Sequence, residues 1–178
     1  HWWFEGPTFL AEVLRLCSQP GSPVQLQTAS GYLADYTVNA VCDPAPSSWG
    51  EGGYSAVWLD SSNDWIYRHV HHAESKMHEL VAKFGSKEDA AQPSAEPSLI
   101  SRALVQAGRE LLLSQSSDWA FIMKTGTAVS YAESRVRSHL QRFGRLATEL
   151  EAGTIDESFL AECEARDNLF PHLDPRLF

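Results

Sequence analysis

Between Ile66 and Phe84 the apolar residues Ile66, Val70, Ala73, Met77, Leu80 and Phe84 step by four, three, four, three and four. That stepping holds a single stripe on one side of a 3.6-residue helix and excludes a strand, whose faces alternate every second residue. Asn63 reads as the N-cap of this helix, and Gly85 stands where a left-handed residue would close it. The same period continues downstream. Pro97 opens a helix carrying Ile100, Ala103, Leu104, Ala107 and Leu111, and a tight segment, Ser116 to Met123, follows. A long helix then carries Val129, Ala132, Val136, Leu140, Phe143, Ala147 and Leu150, with Gly153 at its end. Asp156 starts a last helix, with Ile155 and Leu160 placed as a hydrophobic staple. The apolar tail from Leu169 to Phe178 is expected to pack back on these helices. Residues 63–178 therefore predict a mainly α, bundle-like domain, interrupted by an exposed excursion over Ser86 to Ser98 that is rich in Ala, Pro, Ser and charge.

The first residues read differently. His1-Trp2-Trp3-Phe4 is bulky and β-favouring, Pro7 suits the first turn of a helix, and Phe9, Leu10, Val13, Leu14 and Cys17 recur at helical spacing until Gln19-Pro20-Gly21. This predicts a strand-turn-helix unit like the last piece of an α/β barrel. A short helix from about Thr28 to Tyr36 and an extended piece, Val38 to Cys42, follow. The remaining strand candidates, Val38 to Cys42 and Ser55 to Leu59, are too few to close a sheet. With no initiating Met as well, the chain is expected to be the C-terminal part of something longer.

Charge narrows the partners. With 14 Lys and Arg against 23 Asp and Glu, the net charge is −9, and no basic run offsets it, so neither nucleic acid nor an anionic membrane is expected as a partner. Neutral substrates remain. Cys17, Cys42 and Cys163 are odd in number and widely spaced, which indicates neither a zinc ribbon nor a disulfide framework but buried thiols in a reducing compartment. No apolar run approaches the ~20 residues of a membrane span and no signal-peptide pattern opens the chain; a cytoplasmic location is expected.

Against this helical background, the loop Ser47-Ser48-Trp49-Gly50-Glu51-Gly52-Gly53-Tyr54, followed by Ala56-Val57-Trp58-Leu59, is anomalous. It places large aromatics in a glycine-rich segment. Glycine lets the backbone adopt positive φ and approach a ligand closely, and a loop tryptophan offers a flat apolar face to the axial C–H face of a pyranose. The competing reading is that Trp49 and Trp58 plug a core beneath the loop.

Other chemistry is thinly represented. His69, His71 and His72 cluster on the predicted helix without a partner carboxylate in metal-binding order, so a solvated face is read there and no metal or cofactor is expected. No GxSxG elbow is present, Ser116-Ser117-Asp118 lacks a His in a known order, and Gly50-Glu51-Gly52-Gly53 is not a phosphate loop. Glycoside chemistry needs two carboxylates roughly 5–9 Å apart, for which Glu5, Glu51, Asp60 and Asp118 are candidates. Asp118, at a helix junction before Trp119, reads first as an N-cap.

Three blocks then carry a resemblance. His1-Trp2-Trp3-Phe4-Glu5-Gly6-Pro7, Ser47-Ser48-Trp49-Gly50-Glu51-Gly52-Gly53 and Glu110-Leu111-Leu112-Leu113-Ser114-Gln115-Ser116-Ser117-Asp118-Trp119 resemble the 1,4-α-glucan (glycogen) branching enzymes of glycoside hydrolase family 57. Lys124-Thr125-Gly126-Thr127 and Arg166-Asp167-Asn168-Leu169-Phe170-Pro171 extend the match over essentially the whole chain. The resemblance implies residues 1–42 as the tail end of an incomplete (β/α)7 barrel, contributing its last strand and helix. Residues 43–178 would form a C-terminal all-helical domain with an active-site loop at 47–58, packed on its own upstream barrel. It implies a retaining mechanism that cleaves α-1,4 linkages and forms α-1,6 branches, with a Glu nucleophile and an Asp acid/base both upstream of His1, so that these residues alone are expected to be inactive. No catalytic residue is assigned here. Trp49, Trp58, Asp118, Trp2 and Trp3 carry over as binders of an α-1,4-glucan such as amylose or glycogen. The alternatives are a family 57 amylase-like hydrolase or 4-α-glucanotransferase, and a non-catalytic helical glucan-binding domain.

Overall fold

The computed structural model describes residues 4–85 and 97–178. The chain divides into two compact units, His1–Ala45 and Pro46–Phe178, and among the described residues all regular structure is helical. The mainly α expectation holds. The opening strand lies outside the described residues except for Phe4, which is in a turn. Val38 to Cys42 has no regular structure, and the other strand candidate departs outright: Ser55–Val57 is a 3-10 turn.

In the first unit, α1 (Glu5–Cys17) contains Pro7 in its first turn, where the missing N–H has no intrahelical partner to lose. Helix α2 (Ala29–Asp35) starts at Thr28, whose side chain accepts from the Gly31 N–H at 3.1 Å. Neither helix buries a residue; Phe9, Leu10 and Leu14 of α1 are all exposed.

The second unit is a bundle of α3 (Trp65–Phe84), α4 (Leu99–Ser114), α5 (Ser117–Thr125), α6 (Val129–Ala152) and α7 (Glu157–Arg166). The stripe read from sequence is the buried face of α3: Ile66, Val70, Ala73, Met77 and Leu80. Helices α4 and α6 form the central pair. One core cluster joins Met77, Leu80, Leu104, Leu111, Phe143, Leu146, Leu150 and Leu160, with Ile155 and Phe178 packed against it. The apolar tail thus folds back as expected, and Gly108 of α4 leaves room for it: a Cβ there would meet the Phe178 ring at 2.8 Å. A second cluster, Ile66, Val70, Ala120, Met123, Ala132 and Val136, lies at the other end, beneath Trp58, Trp65 and Trp119.

The helix ends follow the sequence with three corrections. Ser98 rather than Pro97 begins α4, its hydroxyl accepting from the Ser101 N–H at 3.1 Å; the excursion preceding it lies, over 86–96, outside the described residues. Gly85 does close α3, but at φ −78°, so its use is steric: a Cβ would come within 2.6 Å of the Val81 carbonyl oxygen. Asn63 is not a cap, because α3 begins after Asp64 without a side-chain cap. Gly153 ends α6 at φ 68° and Asp156 caps α7 through the Ser158 and Phe159 N–H groups, both as read. Of the three thiols only Cys163 is buried, while Cys17 is half-buried and Cys42 exposed. Burial pushes the Cys163 thiol up to about 11.

Candidate functional site

The glycine loop closes on itself. The Ser48 N–H donates to the Gly53 carbonyl at 2.6 Å, and the Gly53 N–H donates to that of Gly50 at 2.9 Å. The Ser48 hydroxyl donates to the Tyr54 carbonyl and accepts from the Gly50 N–H at 3.1 Å. Gly52 and Gly53 take φ 68° and 77°, which a side chain would strain. At Gly50 the need is space, since a Cβ would collide with the Tyr54 carbonyl and lie 3.1 Å from the Trp58 ring.

This closure presents Trp49 to solvent, 84% exposed. Its ring lies 6.3 Å from that of Trp58 and 6.4 Å from Phe121 on α5, tilted to both. Trp58 is half-buried over the second core cluster. The core-plug reading therefore describes Trp58 in part and fails for Trp49. Phe121 was not anticipated; its one signal was a place beside Ala120, which turns inward, leaving Phe121 on the outer face of α5.

Three contacts fix the loop to the bundle. Asn63, fully buried, donates from Nδ2 to the carbonyls of Val57 at 2.9 Å and Ala120 at 3.1 Å, and accepts from the Asp60 N–H at 2.9 Å. The Tyr67 hydroxyl donates to the Trp58 carbonyl, and burial raises its pKa. Asp60 accepts from Lys124 Nζ at 2.7 Å. That bond, with those from Ser62, lowers the Asp60 pKa from 3.8 to about 2. The ion pair is therefore fully present above the ordinary carboxylate pKa of ~3.9 and is lost as the pH falls through about 2. In a carboxyl-detected NMR titration, Lys124→Ala is expected to return the Asp60 midpoint toward its ordinary value; an unmoved midpoint would show that Lys124 does not set it.

Of the candidate carboxylates, Asp60 is committed to Lys124, and Glu5 and Glu51 are exposed in α1 and a 3-10 turn. Asp118 is exposed in the first turn of α5; it is not the N-cap, a place held by Ser116, whose hydroxyl donates to it at 3.2 Å. Trp119 turns inward, donating from Nε1 to the Leu113 carbonyl at 2.7 Å. Trp2 and Trp3 lie outside the described residues.

His69, His71 and His72 are exposed on α3. The gathered ionisable group is one the sequence reading missed: Glu110, His139 and Asp167, buried, with one ligating atom each within 4.8 Å of the others. Two arginines occupy the positions a cation would take. Arg142 reaches Asp167 at 2.9 Å and Glu110 at 3.7 Å, and Arg135 Nη2 lies 3.0 Å from His139 Nε2. A guanidinium only donates, so His139 accepts at Nε2 and donates from Nδ1 to Glu110 at 2.7 Å. The residues form a charge-balanced network joining α4, α6 and the segment after α7 and do not suit a metal.

A profile of the family described as "1,4-alpha-glucan branching enzyme, C-terminal" matches residues 69–178, more than half of the chain. The chain belongs to this family. A 1,4-alpha-glucan branching enzyme of Thermococcus kodakarensis is 36% identical over 175 residues, covering 96% of this chain and 24% of the relative. A crystal structure of a GH57-type branching enzyme from Pyrococcus horikoshii is similar at TM-score 0.69 and 34% identity, over 100% of this chain and 33% of that one. The alpha-amylase AmyC of Thermotoga maritima is also similar, at TM-score 0.59 and 38% identity over 99% of this chain and 30% of that one. The chain thus spans between about a quarter and a third of the proteins it matches. As a member of the branching enzyme C-terminal family it has the helical fold expected of that part, and the resemblance drawn from its sequence blocks holds. No described helix is long and apolar enough to cross a membrane.

Proposed function

We propose that this chain is the C-terminal portion of a cytoplasmic, retaining branching enzyme that cleaves α-1,4-glucan and transfers the chain to form α-1,6 branches, with Trp49 and Trp58 lining the glucan cleft. The observation that carries this is Trp49 itself: a large apolar ring held in solvent by a closed loop that Asn63, Tyr67 and Asp60 fasten to the bundle. Such a surface suits the C–H face of a glucosyl ring and leaves its hydroxyls free. The Glu nucleophile and Asp acid/base lie outside these residues in this reading, so the chain alone is inactive.

In the transfer step, a glycosyl–enzyme intermediate can be taken by water or by a sugar hydroxyl. Trp49, Trp58 and Phe121 favour the sugar by covering the approach with apolar surface and by holding the acceptor in place. Asp118, and separately Trp2 and Trp3 on the strength of the sequence blocks, are assigned to glucan binding in this reading. The exposed stripe of α1 suits packing against the upstream barrel, and in this reading residues 1–42 belong with that barrel and residues 43–178 follow as the helical domain.

The likeness to the Thermotoga amylase favours a second reading, a hydrolase or 4-α-glucanotransferase built with the same helical part. Digestion of amylose by the full-length parent, followed by enzymatic debranching of the products, separates them. New α-1,6 linkages are expected; shortened linear chains alone would replace the first reading with the second.

A further inference from the structure

A cavity of about 340 Å³ opens between α3 and the α4–α5 turn, with Trp58 in its wall and Trp49 outside it. Its apolar side is the top of the second core cluster, including Val70. Its polar side is a side-chain pair: Gln115 Nε2 donates to Glu74 Oε1 at 2.7 Å. That bond leaves Glu74 Oε2 and Gln115 Oε1 as acceptors and one amide hydrogen as a donor, none of them partnered among the described residues. His71 and Ser117 are both exposed at the same opening.

This combination selects by chemistry. An anionic ligand would face Glu74, whose carboxylate is not matched by any Lys or Arg in the lining. A hydrocarbon would cover Glu74 Oε2, Gln115 Oε1 and the Ser117 hydroxyl without offering them a hydrogen bond. A neutral ring with one apolar face and neighbouring hydroxyls meets both demands: the hydroxyls donate to the carboxylate and accept from the amide while the C–H face lies on the apolar side. Trp58 belongs both to this wall and to the pair with Trp49, so one extended ligand can run from one to the other.

We propose that this cavity is a second glucan subsite, which takes glucosyl units of the same α-1,4-glucan chain that lies over Trp49. The proposal rests on the glucan reading of the tryptophan loop. It assigns Glu74, Gln115 and Ser117 to chain binding.

Calorimetric titration of this chain with maltoheptaose tests it, with Ser117→Tyr to fill the cavity, Glu74→Ala to remove its acceptor, and Trp49→Ala as the loop control. Both cavity variants are expected to bind at least about fivefold more weakly, the size of one or two lost sugar hydrogen bonds, with unchanged thermal midpoints. Glu74→Ala keeps the test decisive if Ser117→Tyr disturbs the start of α5. Wild-type affinity in Glu74→Ala, or in a folded Ser117→Tyr, together with weakened binding in Trp49→Ala, would overturn the subsite and leave the loop reading intact. Loss in the cavity variants with wild-type affinity in Trp49→Ala would overturn the single chain running from the cavity over Trp49. No binding by the wild-type chain would overturn the subsite, and the loop reading would then stand or fall on Trp49→Ala in the full-length parent.

Discussion

Glu110→Ala is expected to cost this chain about 3–5 kcal/mol, the range for removing one partner from a buried ion pair, read as a fall in the urea midpoint. Glu110 is fully buried. Its two oxygens accept from Gln106 Nε2 at 3.0 Å and His139 Nδ1 at 2.7 Å, and it helps to neutralise Arg142 at 3.7 Å. Truncation strands His139 Nδ1 in a space closed to water, while Gln106 Nε2 keeps the Cys163 and Asp167 carbonyls, and Asp167 alone remains to balance the guanidinium. Glu110→Gln keeps the volume but presents an amide where an acceptor is needed, and loses the charge that balances Arg142; it is expected to be destabilising as well. A loss below about 1 kcal/mol for Glu110→Ala, the scale of an exposed ion pair, would show that the network is not a structural centre of the bundle.

The second large effect is expected at Asn63, where two readings of one residue separate. As an N-cap, Asn63 would tolerate Asp or Ser, which cap about as well. As the buried pin between the Val57 and Ala120 carbonyls, it tolerates neither. Asp would set a carboxylate against two carbonyl oxygens, and Ser is too short to span them. Asn63→Asp and Asn63→Ser are each expected to destabilise by about 2–3 kcal/mol, from leaving buried polar groups unsatisfied. The same variants are expected to release the loop, seen as faster hydrogen exchange at Val57 and Trp58 than in wild type. Wild-type stability in Asn63→Asp would restore the capping reading.

Local chemistry was legible and long-range chemistry was not. The α3 stripe, the left-handed Gly153 and the Asp156 cap depend on residues within a turn or two of one another, and sequence spacing reports such relations well. Asn63 was misread because its type suits two jobs: the local pattern offers a cap, while its real partner, Ala120, is distant in sequence and near only after α3 and α5 pack. The Glu110–His139–Asp167 group escaped for the same reason, since it joins two helices and the segment after a third. It did leave a trace. Glu110 sits beside Leu111 and three residues after Ala107, inside the apolar stripe of α4, and His139 lies between Val136 and Phe143 in that of α6. A charged residue in core register predicts a buried partner, though not which one. Loop position was equally insufficient for Trp49 and Trp58: only the closure at Gly50 and the packing of α5 separate an exposed ring from a half-buried one.

Whether the tryptophan loop chooses sugar over water can be measured with Trp49→Ala in the full-length parent, acting on amylose, by counting new α-1,6 linkages against new reducing ends. Loss of the exposed ring is expected to lower that ratio by about tenfold, equivalent to ~1.4 kcal/mol of discrimination, while the folded stability is unchanged because Trp49 is 84% exposed. An unchanged ratio, with the loop intact, would contradict a role for Trp49 in the cleft.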